Sequence, residues 1–290
     1  MDFWCADSFI CIIRDTKLTN ELYKDLPMIE KVKKGIRYFE FEGLGKYGRI
    51  QHAIFSRQGG VSPAPYNALN MSVSVPDDAA NVYANRARAY GLFGRTNETV
   101  VHAHLVHEAD VVAVTHQNYG QHMSRVDGLI TNEPGVGLTM NYADCAPIFL
   151  YDPVHHAIGL GHAGWPGSVK DLPGSMVRAM QQAYGSEPAE LIAGIGPCVG
   201  VEKYEVGEVV ITAVHNAFSN PDALLVPSPN GGERPHYDLA AANRQNLLRA
   251  GVVHIEQSGF CTATHTDLFF SHRAEKGRTG RFGTIFILEE

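Results

Sequence analysis

From Ile36 onward the chain alternates short apolar and polar runs in a regular way. I-R-Y-F-E-F-E and R-I-Q-H-A-I-F-S repeat with period two, the mark of half-buried strands. G-L-G-K-Y-G separates them as a turn. S-R-Q-G-G-V-S-P-A-P-Y-N-A-L-N is a loop rich in Gly and Pro. D-D-A-A-N-V-Y-A-N-R-A-R-A-Y-G-L-F-G predicts a helix, with Asp77 or Asp78 at its N-cap and Gly91 after its end. Strands follow in T-V-V-H-A-H-L-V-H, D-V-V-A-V-T-H and D-G-L-I-T-N-E-P-G-V-G-L-T-M-N-Y-A-D, the last broken by a turn. P-I-F-L-Y-D and H-A-I-G-L-G-H-A-G predict a hairpin through P-V-H. Three helices are expected after it: S-M-V-R-A-M-Q-Q-A-Y ended by Gly185, V-G-E-V-V-I-T-A-V-H-N-A-F, and L-A-A-A-N-R-Q-N-L-L-R between Asp238 and Gly251. L-I-A-G-I-G-P, H-I-E-Q-S-G and G-T-I-F-I-L are further strands.

Hairpins with helices inserted at intervals point to an α+β fold with mixed sheets, not a doubly wound parallel sheet. No repeat or low-complexity linker divides residues 36–290, which read as one catalytic domain. Residues 1–35 are Lys- and Asp-rich with weak periodicity and read as a poorly defined N-terminal extension; Met28 is an alternative start.

Composition narrows the function. With 44% hydrophobic and 19% charged residues the chain is globular. A net charge of −7 argues against a nucleic-acid partner bound through a broad basic face. No apolar stretch is long enough to span a bilayer, so no membrane partner is expected. Five scattered cysteines do not make a disulfide framework and suit a reducing, cytoplasmic setting. The sequence does not set an oligomeric state.

Two residues stand out for chemistry. Cys145 follows Asp144 in a short polar step inside an apolar segment, where a strand restarts at Pro147. His162 lies one strand on, in a G-H-A-G-W-P-G turn whose glycines let the backbone approach a ligand closely. A second histidine is needed for a metal site, and spacing does not choose among His102, His104, His107, His116 and His122. Arg57 in S-R-Q-G-G and Asn70 in A-L-N offer a cation and an amide in a glycine turn, a suitable cradle for phosphate or substrate. Arg273, Lys276, Arg278 and Arg281 form the one basic cluster, which would either close over an anionic substrate or stand as a solvated loop.

Several ordered motifs give the chain a resemblance. F-S-R-Q-G-G-V-S-P-A-P-Y-N-A-L-N, L-V-H-E-A-D-V-V, A-D-C-A-P-I, G-H-A-G-W-P-G, G-I-G-P-C-V-G-V-E-K-Y-E-V-G and L-F-F-S-H-R-A-E-K-G-R-T-G-R-F-G run from about Phe39 to Leu288. Together they resemble the YfiH-like family, known as the multicopper polyphenol oxidase or laccase domain and as purine nucleoside phosphorylases. The resemblance implies a layered α/β/β/α sandwich. It implies that His107, Cys145 and His162 are the ligands of a zinc ion. The implied reactions are phosphorolysis of adenosine, inosine, guanosine and methylthioadenosine, and deamination of adenosine. Purine nucleosides and phosphate are then the partners, and Asp144 would orient a ligand histidine or handle a proton. The chain departs from the family pattern at Pro166, where Arg is usual in H-A-G-W-R-G, at Leu105, where Gln is common, and at His272, where Tyr or Arg is usual.

Rival readings use the same residues. Copper would suit His and Cys ligands and a polyphenol oxidase, although a laccase needs several coppers and paired H-x-H motifs that the fourteen histidines do not supply. Without metal, Cys145 and His162 would suit a Cys–His hydrolase editing peptidoglycan precursors. A zinc-binding partner protein without activity is the fourth.

Overall fold

The computed structural model describes residues 28–229 and 231–290. Of the expected extension, residues 1–27 lie outside the described residues. The rest of it is ordered differently from expectation: β1 (Ile29–Lys33) pairs antiparallel with β2 (Ile36–Glu40). All five β1 residues are exposed, so the strand leaves no burial alternation in the sequence.

The other strands are β3 (Ile50–Phe55), β4 (Val100–Ala103), β5 (Val111–Ala113), β6 (His122–Met123), β7 (Gly128–Thr131), β8 (Gly137–Thr139), β9 (Asn141–Tyr142), β10 (Ala146–Asp152), β11 (Ala157–Ala163), β12 (Ile192–Ile195), β13 (Leu225–Val226), β14 (His236–Tyr237), β15 (His254–Gln257) and β16 (Phe282–Leu288). Helices are α1 (Glu42–Gly45), α2 (Ala79–Tyr90), α3 (Trp165–Val169), α4 (Leu172–Tyr184), α5 (Glu208–Ala217) and α6 (Leu239–Arg249). One sheet runs β1-β2-β3-β16-β8-β4-β6, with β9 also on β16; the second runs β15-β12-β10-β11-β7-β5. Both mix parallel and antiparallel pairs.

Strand alternation builds the layers. On β16, Phe286 faces the second sheet and meets Phe149 of β10 at 5.1 Å between ring centroids. Ile285 and Ile287 face the other way, into a cluster with Ala89 and Tyr90 of α2. On β10, Phe149 and Tyr151 pack between the sheets, whereas Ile148 and Leu150 pack under Met176, Met180 and Leu247 of α4 and α6. Three apolar layers thus separate α2, two sheets and the α4–α6 side, the expected α/β/β/α order. Burial of each such side chain contributes roughly 1.5–3 kcal/mol.

The helix ends follow the local signals. Asp78 accepts from Ala80 N at the start of α2, and Asp238 accepts from Ala241 N at the start of α6. Gly185 ends α4 in the left-handed region, φ 75°. Pro166 sits in the first turn of α3, where its missing N–H costs nothing.

A candidate metal centre between the sheets

The β10–β11 hairpin sets two of the three expected ligands. Its register pairs Pro147 with His162 and Ala146 with Ala163, so Cys145 lies just beyond, opposite Gly164. There is room for the thiol only because residue 164 has no side chain: a Cβ on Gly164 would lie 2.7 Å from Cys145 Sγ and 3.4 Å from His107 Cδ2. His107 arrives from the connection between β4 and β5, in a left-handed conformation with φ 61°. Its ring meets that of His162 edge-on, with centroids 4.9 Å apart. The donor atoms of His107, Cys145 and His162 all lie within 4.8 Å of one another, and among the described residues this is the one cluster of three such donors.

A residue that sequence reasoning missed holds the arrangement. Asp127, just before β7, is fully buried. Its Oδ1 lies 2.9 Å from His162 Nδ1, and the His162 N–H donates to the Asp127 carbonyl at 2.8 Å. Its Oδ2 accepts from the backbone N–H groups of Val106 and Glu108, on either side of His107. One carboxylate therefore fixes the His162 ring, leaving Nε2 for the cluster, and pins the turn that carries His107. The only sequence signal is an Asp entering an apolar strand; its neighbours emerge from the β7–β11 pairing, which sets Gly128 against Gly161.

The electrostatics suit a thiolate. Burial pushes the Cys145 thiol up, but the charge of His162 and hydrogen bonds from both histidines outweigh it and bring the thiol down to about 6. Burial works against protonation of His162, yet the Cys145 charge and the Asp127 hydrogen bond raise it to about 9.

Asp144 takes a different place from the one expected. The carboxylate that orients His162 is that of Asp127. Asp144, at φ 85°, accepts from Thr262 Oγ1 at 2.6 Å, Ser271 Oγ at 2.7 Å and Arg273 N at 2.6 Å. It ties the 258–281 loop to the strand end bearing Cys145.

Arg57 and Asn70 are likewise committed to the protein itself. Arg57 donates to the carbonyls of Asn67 and Thr266, pairs with Glu275 at 3.0 Å and stacks on Phe270. The cavity of about 500 Å³ beside it is also lined by Asp267 and Glu275, acids that disfavour phosphate. Asn70, fully buried, donates to Ser72 O and Asp77 Oδ2 and accepts from the backbone N–H groups of Ser72 and Arg281. Cys198 and Cys261 are free thiols, set beside each other where the β12 and β15 connections meet. A separate cavity of about 780 Å³, lined by both together with Arg244 and His265, opens there without any of the three cluster residues.

Known proteins share this arrangement of strands. The sequence pattern of the family described as multi-copper polyphenol oxidoreductase laccase matches residues 51–289. The chain belongs to this family. Among its members, purine nucleoside phosphorylase YlmD of Bacillus subtilis (strain 168) is 34% identical over 244 residues, covering 81% of this chain and 87% of that protein. A purine nucleoside phosphorylase of Bacteroides thetaiotaomicron is 32% identical over 86% of the chain and 96% of its own length. The crystal structure of YlmD from Geobacillus stearothermophilus superposes with a TM-score of 0.83 at 32% identity, over 91% of this chain and all of that one. The Bacillus licheniformis hypothetical protein YfiH gives 0.82 at 30% identity, over 90% and 99%. The YfiH-like family thus accounts for both sheets and the motifs at the cluster. No helix among the described residues is long and apolar enough to cross a membrane.

Proposed function

We propose that the protein is a zinc-dependent purine nucleoside enzyme that cleaves adenosine, inosine, guanosine and methylthioadenosine with phosphate and also deaminates adenosine. The observation that carries this reading is the His107–Cys145–His162 cluster braced by Asp127. One sulfur and two imidazole nitrogens, with spacings up to 4.8 Å, fit a tetrahedral ion whose fourth position is open. A single three-donor cluster among the described residues favours zinc over a multicopper oxidase. Relatives that carry the name purine nucleoside phosphorylase support the substrate class.

When bound, the metal would supply Lewis acidity at its open position. The protein's own residues do the rest. Asp127 keeps the His162 ring and the His107 turn in place without substrate, so the donors need no rearrangement. In phosphorolysis a phosphate oxygen bonds to C1′ while the C1′–N bond breaks, and the purine leaves with the electron pair. Positioning of phosphate against the sugar supplies much of the acceleration. In deamination the oxygen of a water molecule bonds to C6 while the C6–N bond breaks, and the amino group leaves as ammonia.

Incubating purified, metal-analysed protein with adenosine tests the reading. Adenine plus ribose 1-phosphate, formed only with phosphate present, supports phosphorolysis, and inosine supports deamination. Neither product from zinc-loaded protein sinks it.

A metal-free Cys–His hydrolase is the second reading, and the depressed Cys145 thiol beside a raised His162 favours it. Activity that survives complete removal of metal by a chelator would select it.

A further inference from the structure

The reaction needs a cation to receive phosphate, and Arg57 is already neutralised by Glu275. Another guanidinium stands at the start of a strand that borders the cluster. Arg281 immediately precedes β16, whose Phe282 is paired with Tyr142 of β9, three residues before Cys145. The Tyr142 ring lies 5.4 Å from that of His162, so the start of β16 abuts the wall of the site.

Three hydrogen bonds fix Arg281 there. Its backbone N–H donates to Asn70 Oδ1 at 2.9 Å, and its Nη1 donates to the carbonyls of Thr279 and Gly280. Asn70 is buried and fully bonded, so the anchor is rigid. Arg281 itself is half-buried, and among the described residues no carboxylate lies within the 4.0 Å of an ion pair with it. The other guanidinium nearby, that of Arg273, is occupied by the Glu205 carbonyl and the Tyr204 ring. A partly desolvated guanidinium without a counter-ion is costly unless an anion completes it. Burial lowers the pKa of Arg281, and negative charge on Cys145 and Asp144 partly offsets that shift.

We propose that Arg281 is the residue that grips the phosphate co-substrate beside the His107–Cys145–His162 cluster, with Asn70 acting as its positioning residue. The inference rests on the nucleoside reading for the identity of the anion, but not for the existence of an anion site. It gives Asn70 an indirect part in phosphate binding and relieves Arg57 of one. The planar fork of an arginine can meet two oxygens of one phosphate, which a lysine cannot.

Calorimetric titration of inorganic phosphate into zinc-loaded protein tests this without turnover. Arg281→Gln should weaken phosphate binding by roughly tenfold or more, the loss of a charge-assisted contact. Arg281→Lys should fall between Arg281→Gln and the native protein. The KM for phosphate should rise in the same order, with the KM for nucleoside and the zinc content held. Phosphate affinity within about twofold of native in Arg281→Gln overturns the proposal. So does native protein that binds no phosphate, or a loss of folded structure in both variants, which would make the charge structural. Phosphate binding that depends on Arg281 in a protein that cleaves no nucleoside would uphold the anion site while refuting the nucleoside reading.

Discussion

Asp127 faces His162 across the β7–β11 pair, its carboxylate 2.9 Å from the imidazole Nδ1, and the same carboxylate holds the peptide N–H groups on both sides of His107. Two residues of the cluster, far apart in sequence, therefore share one anchor. In Asp127→Asn an amide cannot accept from all three donors at once. Zinc affinity should fall by roughly 10–100-fold, the usual cost of losing a partner that orients a ligand histidine. Competition against a chromogenic chelator measures it, and unchanged affinity would deny Asp127 this part.

Loss of the thiolate should be more severe. Cys145→Ala should leave no stoichiometric zinc and no nucleoside turnover, because two histidines hold zinc poorly. Cys198→Ser and Cys261→Ser should keep their zinc. Cys198 lies in the apolar layer under α4 and α6, so its serine variant should lose about 1–3 kcal/mol in urea unfolding through a buried hydroxyl. Full zinc occupancy in Cys145→Ala would remove it from the ligand set.

Zinc uptake should depend on pH in a particular way. Above about 6 Cys145 is already a thiolate and gives up no proton. His162 keeps its second proton up to about 9, and the metal must displace it. Affinity should therefore rise with pH between these values, about tenfold per unit for one proton released, and level off above about 9. Below about 6 protonation of Cys145 should steepen the fall. Calorimetry in buffers of different ionisation enthalpy counts the proton; a flat profile across the window would contradict the coupling.

Arg57→Ala should behave as a stability variant. It leaves Glu275 unpaired and frees the carbonyls of Asn67 and Thr266. A loss on the order of 2–3 kcal/mol is expected. Unfolding midpoints measure it. A variant of native stability with weakened phosphate binding would restore the phosphate role read from the S-R-Q-G-G turn.

Much of the fold was legible because alternation and caps are local. The β10–β11 hairpin, α2 behind Asp78 and α4 before Gly185 each carry their signal within a few residues. β1 was missed because an exposed edge strand buries nothing to mark it. At the site, Cys145 and His162 stood out as polar steps in apolar strands. His107 did not, since several histidines share its segment and φ 61° leaves no trace in the sequence. Asp127 was harder still, and Arg281 showed only as one of four cations in a basic cluster, since the neighbours of both are set by pairing between strands far apart in the chain. Arg57 and Asn70 looked like a phosphate cradle because residue type alone does not show that a guanidinium already has its carboxylate.

β16 follows all the other described strands in sequence, yet it lies in the middle of its sheet, against β3 on one side and β8 and β9 on the other. During synthesis the first sheet is therefore left with an open gap until residues 282–288 leave the ribosome. Among the described residues, strand β9, which leads into Cys145, has only β16 as its ladder partner. A nascent chain halted before Phe282 would expose the unpaired edges of β3, β8 and β9, while the β10–β11 hairpin and the Asp127 bridge, which set His107, Cys145 and His162, are already complete in sequence.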